Sequence, residues 1–176
     1  MRSSEIEEVY LTVRKRLWAY IRSIVRDTDL TEDIFQKSWM KVIPAISSKG
    51  LNRDSLVPYL FRIARNECMD HFRKRTREVK ALERIAPGQV AKSQEQTDHS
   101  LAIRTVIDEC LKNSDLTESR RELLRLRLIG QLPVEEIASL LGLSRSTAYR
   151  ELAASIQFLS KALETAGIGP EIFQES

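Results

Sequence analysis

The sequence contains little glycine or proline and almost no cysteine. Its 176 residues include 6 Gly, 5 Pro and 2 Cys. So few turn-forming residues exclude a collagen-like chain and argue against a turn-dense all-β domain. Cys68 and Cys110 lie far apart in the sequence. This usage fits a reducing compartment and gives no disulfide framework.

Long apolar runs are also missing. No window approaches the ~20 consecutive apolar residues that a membrane-spanning helix needs. The first eight residues are acidic and lack the apolar core of a signal peptide. Apolar residues nevertheless make up 42% of the chain and charged residues 30%, which is typical of a folded globular protein. We therefore expect a cytoplasmic protein.

The net charge of +3 hides an uneven distribution. Residues 1–80 hold 17 Lys and Arg against 11 Asp and Glu, whereas residues 101–176 hold 9 against 11. Within the first half, residues 62–80 carry seven basic side chains and three acidic ones. A local excess of this kind attracts polyanions, nucleic acid first among them.

Apolar residues recur at three- and four-residue steps over most of the chain, which predicts helices. In the first half the pattern predicts one helix up to Val25 and a second that ends or kinks near Pro44. Residues 47–55 are polar and are predicted to form a loop. A third helix is predicted from about Leu56 through Arg77. The apolar stripes place Ile43 of the second helix and Phe72 of the third on buried faces.

A change of composition separates two helical regions. Residues 81–100 contain Pro87-Gly88 and then a Gln-, Ser- and Thr-rich stretch, which is typical of a flexible linker. The helical pattern resumes over residues 101–165 and includes Ile156 in the stripe of its last helix. The sequence thus predicts an all-α protein: one small helical domain over residues 1–80, a linker, a second over 101–165, and a tail over 166–176.

The second region contains the pattern of a helix-turn-helix between Pro133 and Arg150. Ala138 is small where two crossing helices must approach, Gly142 follows where the turn needs positive φ, and Ser144 can cap the second helix. The second helix of such a motif lies in the DNA major groove. The alternative is an αα-hairpin with a solvated polar face. The side chains expected to contact DNA are Ser144, Arg145, Ser146, Thr147, Tyr149 and Arg150.

Two features of the first region concern binding. The helix from Tyr59 to Arg75 alternates apolar and basic faces and interleaves aromatic residues, a combination found in nucleic-acid binders and equally in solvated or membrane-surface helices. Upstream, Glu32, Asp33 and Gln36 share one helix face. Free carboxylates on such a face could dock a basic partner or simply be solvated.

Residues 6–78, the linker and residues 101–165 together resemble a bacterial extracytoplasmic-function (ECF, group 4) sigma factor of the sigma-70 family. Three motifs carry the resemblance, in this order and spacing. They are Thr31-Glu32-Asp33…Gln36…Trp39, Leu60-Phe61-Arg62-Ile63-Ala64-Arg65-Asn66…Asp70…Arg73-Lys74, and the helix-turn-helix from Pro133 to Arg150.

The resemblance implies a role for each region. Residues 1–80 would form a sigma region 2-like domain whose Glu32, Asp33 and Gln36 grip the clamp coiled coil of core RNA polymerase. The 47–55 loop and the following helix would melt and read the −10 element of promoter DNA. Residues 101–165 would form a region 4-like domain that reads the −35 element. The side chains implied at the −10 element are Lys49, Asn52, Arg53, Arg62, Arg65, Asn66, Arg73 and Lys74.

The same resemblance implies partners and control. The partners would be core RNA polymerase, promoter DNA and an anti-sigma factor, often membrane-anchored, which would hold the protein at the inner membrane; no small-molecule substrate is implied. Several positions differ from the common family pattern, so the −35 sequence preference does not follow from it. These positions are Pro133, Arg145, Ser146, Glu151, Ala153 and Ala154.

Two other classes of function are compatible with parts of the chain. A stand-alone helix-turn-helix transcriptional regulator would explain residues 101–165 but would leave the basic first region without a task. An enzyme would need a catalytic set, and no Ser/His/Asp set, phosphate-binding glycine loop or HExxH motif is present. The pairs Cys68–His71 and His99–Cys110 lack metal-ligand spacing to one another. We expect no catalytic activity, no metal and no cofactor.

Overall fold

The computed structural model of this chain describes residues 3–82, 109, 111 and 116–165, with the side chains of 79–82 excepted. The chain divides into two compact units, residues 1–92 and 93–176. Most of the predicted linker and the whole predicted tail lie outside the described residues, as does most of 101–115. Each unit is described by itself.

Both units are built from helices, and no strand occurs among the described residues. In the first unit, α1 (Ser3–Val25), α2 (Thr28–Ser48) and α3 (Arg53–Leu82) each pack against the other two. The prediction of an all-α protein with two small helical domains is confirmed. The second unit contains α4 (Glu118–Leu124), which continues as a π-helical segment (Arg125–Ile129), then α5 (Val134–Leu141) and α6 (Arg145–Thr165).

The core of the first unit lies where the three apolar stripes meet. Aromatic contacts join the helices: the rings of Tyr10 and Trp39 lie 5.1 Å apart between α1 and α2, and those of Tyr20 and Phe61 lie 5.2 Å apart between α1 and α3. Such pairs stabilise a core beyond the burial of their surface. The buried apolar residues of α1 and α2 are Val9, Val13, Leu17, Tyr20, Ile21, Ile34, Phe35, Trp39, Val42, Ala45 and Ile46.

The loop between α2 and α3 is shorter than predicted. α2 continues to Ser48 and α3 already begins at Arg53, so the predicted 47–55 loop is reduced to residues 49–52. Pro44 lies inside α2 and does not end it. The following Ala45 and Ile46 are buried, so packing of this last turn outweighs the backbone hydrogen bond that proline removes.

Two residues placed on buried faces by periodicity are exposed. Ile43 is 53% exposed, and Phe72 lies at the surface near the end of α3. The correction has a geometric reason. α3 is 30 residues long, and the buried residues on it are Leu56, Leu60, Phe61, Ala64 and Cys68, so its last turns extend beyond the core. The periodicity continues there, but Phe72 lines an open groove with Val25 and Leu30 instead of entering the core.

The second unit has the predicted helix-turn-helix geometry. Ala138 is buried between the helices, and Gly142 adopts φ +68° at the turn, a conformation that glycine reaches without the penalty of a Cβ. The backbone N–H of Thr147 donates to Ser144 Oγ at 3.1 Å, so Ser144 caps α6 as predicted. In α6 the neighbouring Ser155, not Ile156, is buried.

Membrane insertion through a helix finds no support in the described part of the chain. None of the helices there combines the length and the apolar character that a membrane span requires.

Candidate polymerase and DNA interfaces

The three residues predicted to contact polymerase lie together on the exposed face of α2. Glu32, Asp33 and Gln36 are all exposed. Their carboxylates are not free, however: Gln36 Nε2 donates to Glu32 Oε1 at 2.9 Å, and Lys37 Nζ donates to Asp33 Oδ2 at 2.6 Å. The bond to Asp33 raises the pKa of Lys37. Both contacts are exposed to solvent, where such pairs are weak, so a partner can replace them.

Sequence periodicity missed two apolar members of this face. Met40 is 72% exposed and Ile43 is 53% exposed. Together with Glu32 and Gln36 they follow steps of four, four and three residues, which places all four on one side of the helix. The spacing to Glu32 indicates this face, whereas the apolar character of Ile43 alone predicts burial. The α2 face, defined as Glu32, Asp33, Gln36, Met40 and Ile43, is therefore polar at its start and apolar at its end.

The short loop and the start of α3 hold three residues implied at the −10 element. Asn52 is the N-cap of α3, because its Oδ1 accepts a hydrogen bond from the Ser55 backbone N–H at 2.9 Å while Ser55 Oγ in turn accepts one from the Asn52 N–H at 3.0 Å. Lys49 Nζ lies 4.8 Å from the centre of the Tyr59 ring. The guanidinium of Arg53 donates to Glu8 Oε1 at 2.8 Å.

Four of the remaining −10 candidates are exposed along α3, and the fifth, Arg65, is half-buried. Arg62, Asn66 and Arg73 follow steps of four and seven residues and so share one face. Arg73 donates to Asp70 Oδ1 at 3.1 Å, and Lys74 Nζ lies 3.9 Å from Glu78 Oε1. Both pairs are well exposed, so a phosphate can compete for either cation.

The hydroxyl groups at the start of α6 hydrogen-bond to each other. Ser144 Oγ lies 3.1 Å from Ser146 Oγ and 2.8 Å from Thr147 Oγ1, in addition to capping the helix. Three of the six side chains predicted at the −35 element thus form one capping network. This network fixes the start of α6 and leaves the exposed Arg145 beside it.

The other two −35 candidates, Tyr149 and Arg150, contact carboxylates. Tyr149 Oη donates to Glu135 Oε1 on α5 at 2.6 Å. This bond lowers the pKa of Glu135 and raises that of Tyr149. Arg150 Nε lies 3.6 Å from Glu151 Oε1. No local spacing could have shown the first pair, because its members are 14 residues apart.

A metal centre finds no support in the described residues. No group of three or more His, Cys, Asp or Glu side chains within 3–82, 109, 111 and 116–165 is placed to hold a metal ion. Cys68 is buried among the core residues of α3, and the His71 ring packs edge-on against Phe72 at 5.8 Å. His99 and Cys110 lie outside the described residues.

Comparison with known families and proteins assigns both units. The family model of sigma-70 region 2 matches residues 9–78, and that of sigma-70 region 4 matches residues 114–159. The chain is 26% identical over 166 residues to the ECF RNA polymerase sigma factor SigM of Bacillus subtilis (strain 168), covering 94% of this chain and 99% of that protein.

A solved structure agrees with this assignment. The sigma factor RpoE of Bartonella quintana, crystallised in complex with the anti-sigma factor NepR, superposes with a TM-score of 0.66 at 26% sequence identity. The match covers 90% of this chain and 96% of that one. Because a stand-alone helix-turn-helix regulator would have no region 2, these matches decide against that alternative. The chain belongs to the sigma-70 family of bacterial RNA polymerase sigma factors, in its extracytoplasmic-function group.

Proposed function

We propose that this chain binds core RNA polymerase through the α2 face and directs it to promoters by contacts with the −10 and −35 elements. The observation that carries the proposal is the presence, in one chain, of a region 2 unit with an exposed basic helix and a region 4 unit with a helix-turn-helix. In this role the chain selects the promoter. The polymerase supplies the chemistry, so the chain needs no catalytic group of its own.

The α2 face supports docking to a protein. Its polar start offers two carboxylates whose intrahelical bonds are weak, and its end offers the exposed side chains of Met40 and Ile43. Interfaces commonly combine an apolar centre with a polar rim, and methionine is enriched in them. Behind this face, Phe35 and Trp39 are buried and their rings contact Tyr10 of α1, which packs α2 against α1.

The exposed side of α3 supports contact with a nucleic-acid backbone. From Arg62 to Arg77 the helix advances roughly 22 Å, at 1.5 Å per residue, a length over which duplex DNA presents several phosphates on each strand. Arg62, Asn66, Arg73 and Arg77 lie along this side. Since the acidic partners of Arg73 and Lys74 are exposed neighbours on the same helix, exchanging them for phosphates leaves no buried charge unpaired.

The helix that contacts the −35 element is α6. Its N-terminal half carries Arg145, Tyr149 and Arg150 in exposed positions. Arginine can bind guanine through two parallel hydrogen bonds or hold a phosphate. The hydroxyl groups of Ser144, Ser146 and Thr147 already bond to each other, so these residues are proposed to act mainly through the backbone.

An anti-sigma factor is proposed as the regulator. RpoE of Bartonella quintana was solved with such a partner, and a protein that covers the α2 face or α6 would block polymerase or promoter binding. We place the chain in the cytoplasm, where core polymerase works, with retention at the inner membrane when the anti-sigma factor is anchored there.

Run-off transcription with core polymerase and a genomic promoter library tests the proposal. Added chain should produce transcripts from a limited set of templates that share two sequence elements, whereas core polymerase alone should not. A chain variant with Glu32→Lys and Asp33→Lys provides the matched control. Transcription that does not depend on the added chain would refute the proposal.

A further inference from the structure

Tyr149 is an aromatic residue in an otherwise polar row on α6, and its hydroxyl group is already occupied. The residue is 52% exposed, while Oη donates its single proton to Glu135 Oε1 at 2.6 Å. A phenol has one O–H donor. While this bond holds, Tyr149 cannot donate a hydrogen bond to a base or a phosphate.

The bond to Glu135 is short, and its acceptor is a carboxylate. A hydrogen bond to an ionised acceptor is roughly twice as strong as one between neutral groups. The positive charges of Arg145 and Arg127 lie near enough to add to the lowering of the Glu135 pKa, so the carboxylate is ionised at neutral pH. Because Glu135 belongs to α5 and Tyr149 to α6, the bond fixes the ring direction relative to both helices of the motif.

What Tyr149 presents to DNA is therefore an apolar ring held in one orientation. In the major groove the apolar group that distinguishes one base is the C5-methyl of thymine. We propose that the ring of Tyr149 reads one thymine of the −35 element through its methyl group, and that Glu135 is a positioning residue for this contact. The inference rests on the proposed role of the second unit as the −35 reader.

Hydrogen-bond readout is left to other residues. Arg145 and Arg150 keep exposed guanidinium groups, whereas the hydroxyl groups of Ser146 and Thr147 interact with Ser144. A carboxylate at position 135 also disfavours a phosphate near the Tyr149 hydroxyl, since like charges repel. The aromatic ring thus adds sequence discrimination that does not depend on charge, and its contribution should change little with salt.

The test uses holoenzyme and a promoter that it selects. Each −35 thymidine is replaced in turn by deoxyuridine, which removes the methyl group alone, and the affinity of the holoenzyme is measured. At one position the wild type should lose about fourfold, the equivalent of ~0.8 kcal/mol for one methyl-sized group. The Tyr149→Phe variant keeps the ring but loses the bond to Glu135, so it should keep part of this loss, as Glu135→Ala should, and Tyr149→Ala should show none.

Glu135 is tested by two variants on the same duplexes. Glu135→Gln keeps an oxygen acceptor for the Tyr149 hydroxyl and should retain the methyl effect, whereas Glu135→Ala releases the ring and should reduce it. A purely structural role for Glu135 would lower binding to thymidine and deoxyuridine duplexes alike. Circular dichroism of each variant confirms that the helices are intact.

The outcomes separate the inference from the function on which it rests. Selective promoter binding with no methyl effect at any −35 thymine would overturn the inference alone. Complete loss of the thymine preference in Tyr149→Phe would also overturn it, because the hydroxyl would then be the reader. A holoenzyme without any −35 preference would refute the proposed function of the second unit, and the inference with it.

Discussion

Arg120 and Glu151 join α4 to α6 through a hydrogen bond of 2.7 Å from Arg120 Nε to Glu151 Oε2. Both side chains are partly buried, and the second carboxylate oxygen of Glu151 lies 3.6 Å from Arg150 Nε. The bond to Arg120 lowers the pKa of Glu151. The carboxylate of Glu151 thus links two helices and borders the arginine expected to read DNA.

The Arg120–Glu151 bond predicts a pH-dependent contribution to stability. Because the pKa of Glu151 is lowered in the folded state, its contribution is present above the unfolded carboxyl pKa of about 4.3 and is lost as pH falls through the lower folded value. Arg120→Ala should therefore lower the thermal unfolding midpoint at neutral pH and have a smaller effect near about pH 3. Thermal unfolding followed by circular dichroism measures the difference.

Glu151→Gln is the matched variant for this experiment. It keeps an acceptor for Arg120 but cannot titrate, so in its background the effect of Arg120→Ala should stay constant between about pH 5 and about pH 3. An effect of Arg120→Ala that is equally large at all pH values in the wild-type background would contradict the assignment.

The α2 face is predicted to bind polymerase through charge and apolar contact together. Glu32→Lys with Asp33→Lys should weaken capture of core polymerase while leaving the helical content unchanged, because both positions are exposed. Met40→Ser should also weaken capture, with a change in folding stability within about 0.5 kcal/mol, as is usual for surface positions. Pull-down of core polymerase at graded salt measures both.

Glu7→Lys on α1 serves as the control for charge reversal. Glu7 is exposed in the same unit but lies on α1, outside the α2 face. Capture by the Glu7 variant should equal that of the wild type. Wild-type capture by the double lysine variant would show that polymerase docks elsewhere.

Asn52 is predicted to serve two functions that substitutions can separate. Because Asn52 is the N-cap of α3, the Asn52→Ala substitution should lower the free energy of unfolding by ~1 kcal/mol. Asn52→Ser keeps a capping oxygen and should preserve stability. If the Asn52 amide also contacts the −10 element, both variants should lower promoter opening, measured by permanganate reactivity of the melted strand. Normal opening by Asn52→Ser would mean that Asn52 is a cap alone.

The periodicity of apolar residues predicts the helical fold well, but it predicts only some of the residues on the buried faces. Ser144 is recognisable as a cap from sequence because a capping side chain acts within three residues, and the structure shows Asp27 capping α2 in the same way. Ser155 was missed because its hydroxyl can be buried once it donates to the Glu151 carbonyl, and hydrophobicity does not register that bond. Phe72 was misplaced because α3 is longer than the core that it covers.

Most of the predicted binding residues are exposed, whereas Arg65 and Thr147 are partly buried. The side chains that contact them depend on the tertiary fold. Glu135 and Tyr149 lie on different helices, and so do Arg120 and Glu151, whose separation is 31 residues. No local pattern relates residues at such distances, because the turn geometry and helix crossing decide which side chains meet. Their roles in promoter binding stay predictions.

The two units are predicted to divide promoter recognition. Arg150→Ala should cost roughly 1–3 kcal/mol at the preferred −35 sequence and reduce discrimination among −35 variants. Arg73→Ala or Lys74→Ala should weaken all promoters about equally, and each should lower the slope of log affinity against log salt by about 1, because one phosphate loses its cation. Holoenzyme transcription on matched −10 and −35 variants at several salt concentrations measures both effects. Uniform weakening by Arg150→Ala together with altered sequence preference in Arg73→Ala would reverse the assignment.

Promoter binding by the full chain with and without core RNA polymerase tests the central claim most directly. A promoter obtained by run-off selection is footprinted with the chain alone, with core polymerase alone and with both. We predict protection of the −35 and −10 elements, with melting near the latter, only when both are present. Equally tight and specific protection by the chain alone would contradict the assignment as a sigma factor and support an autonomous DNA-binding regulator.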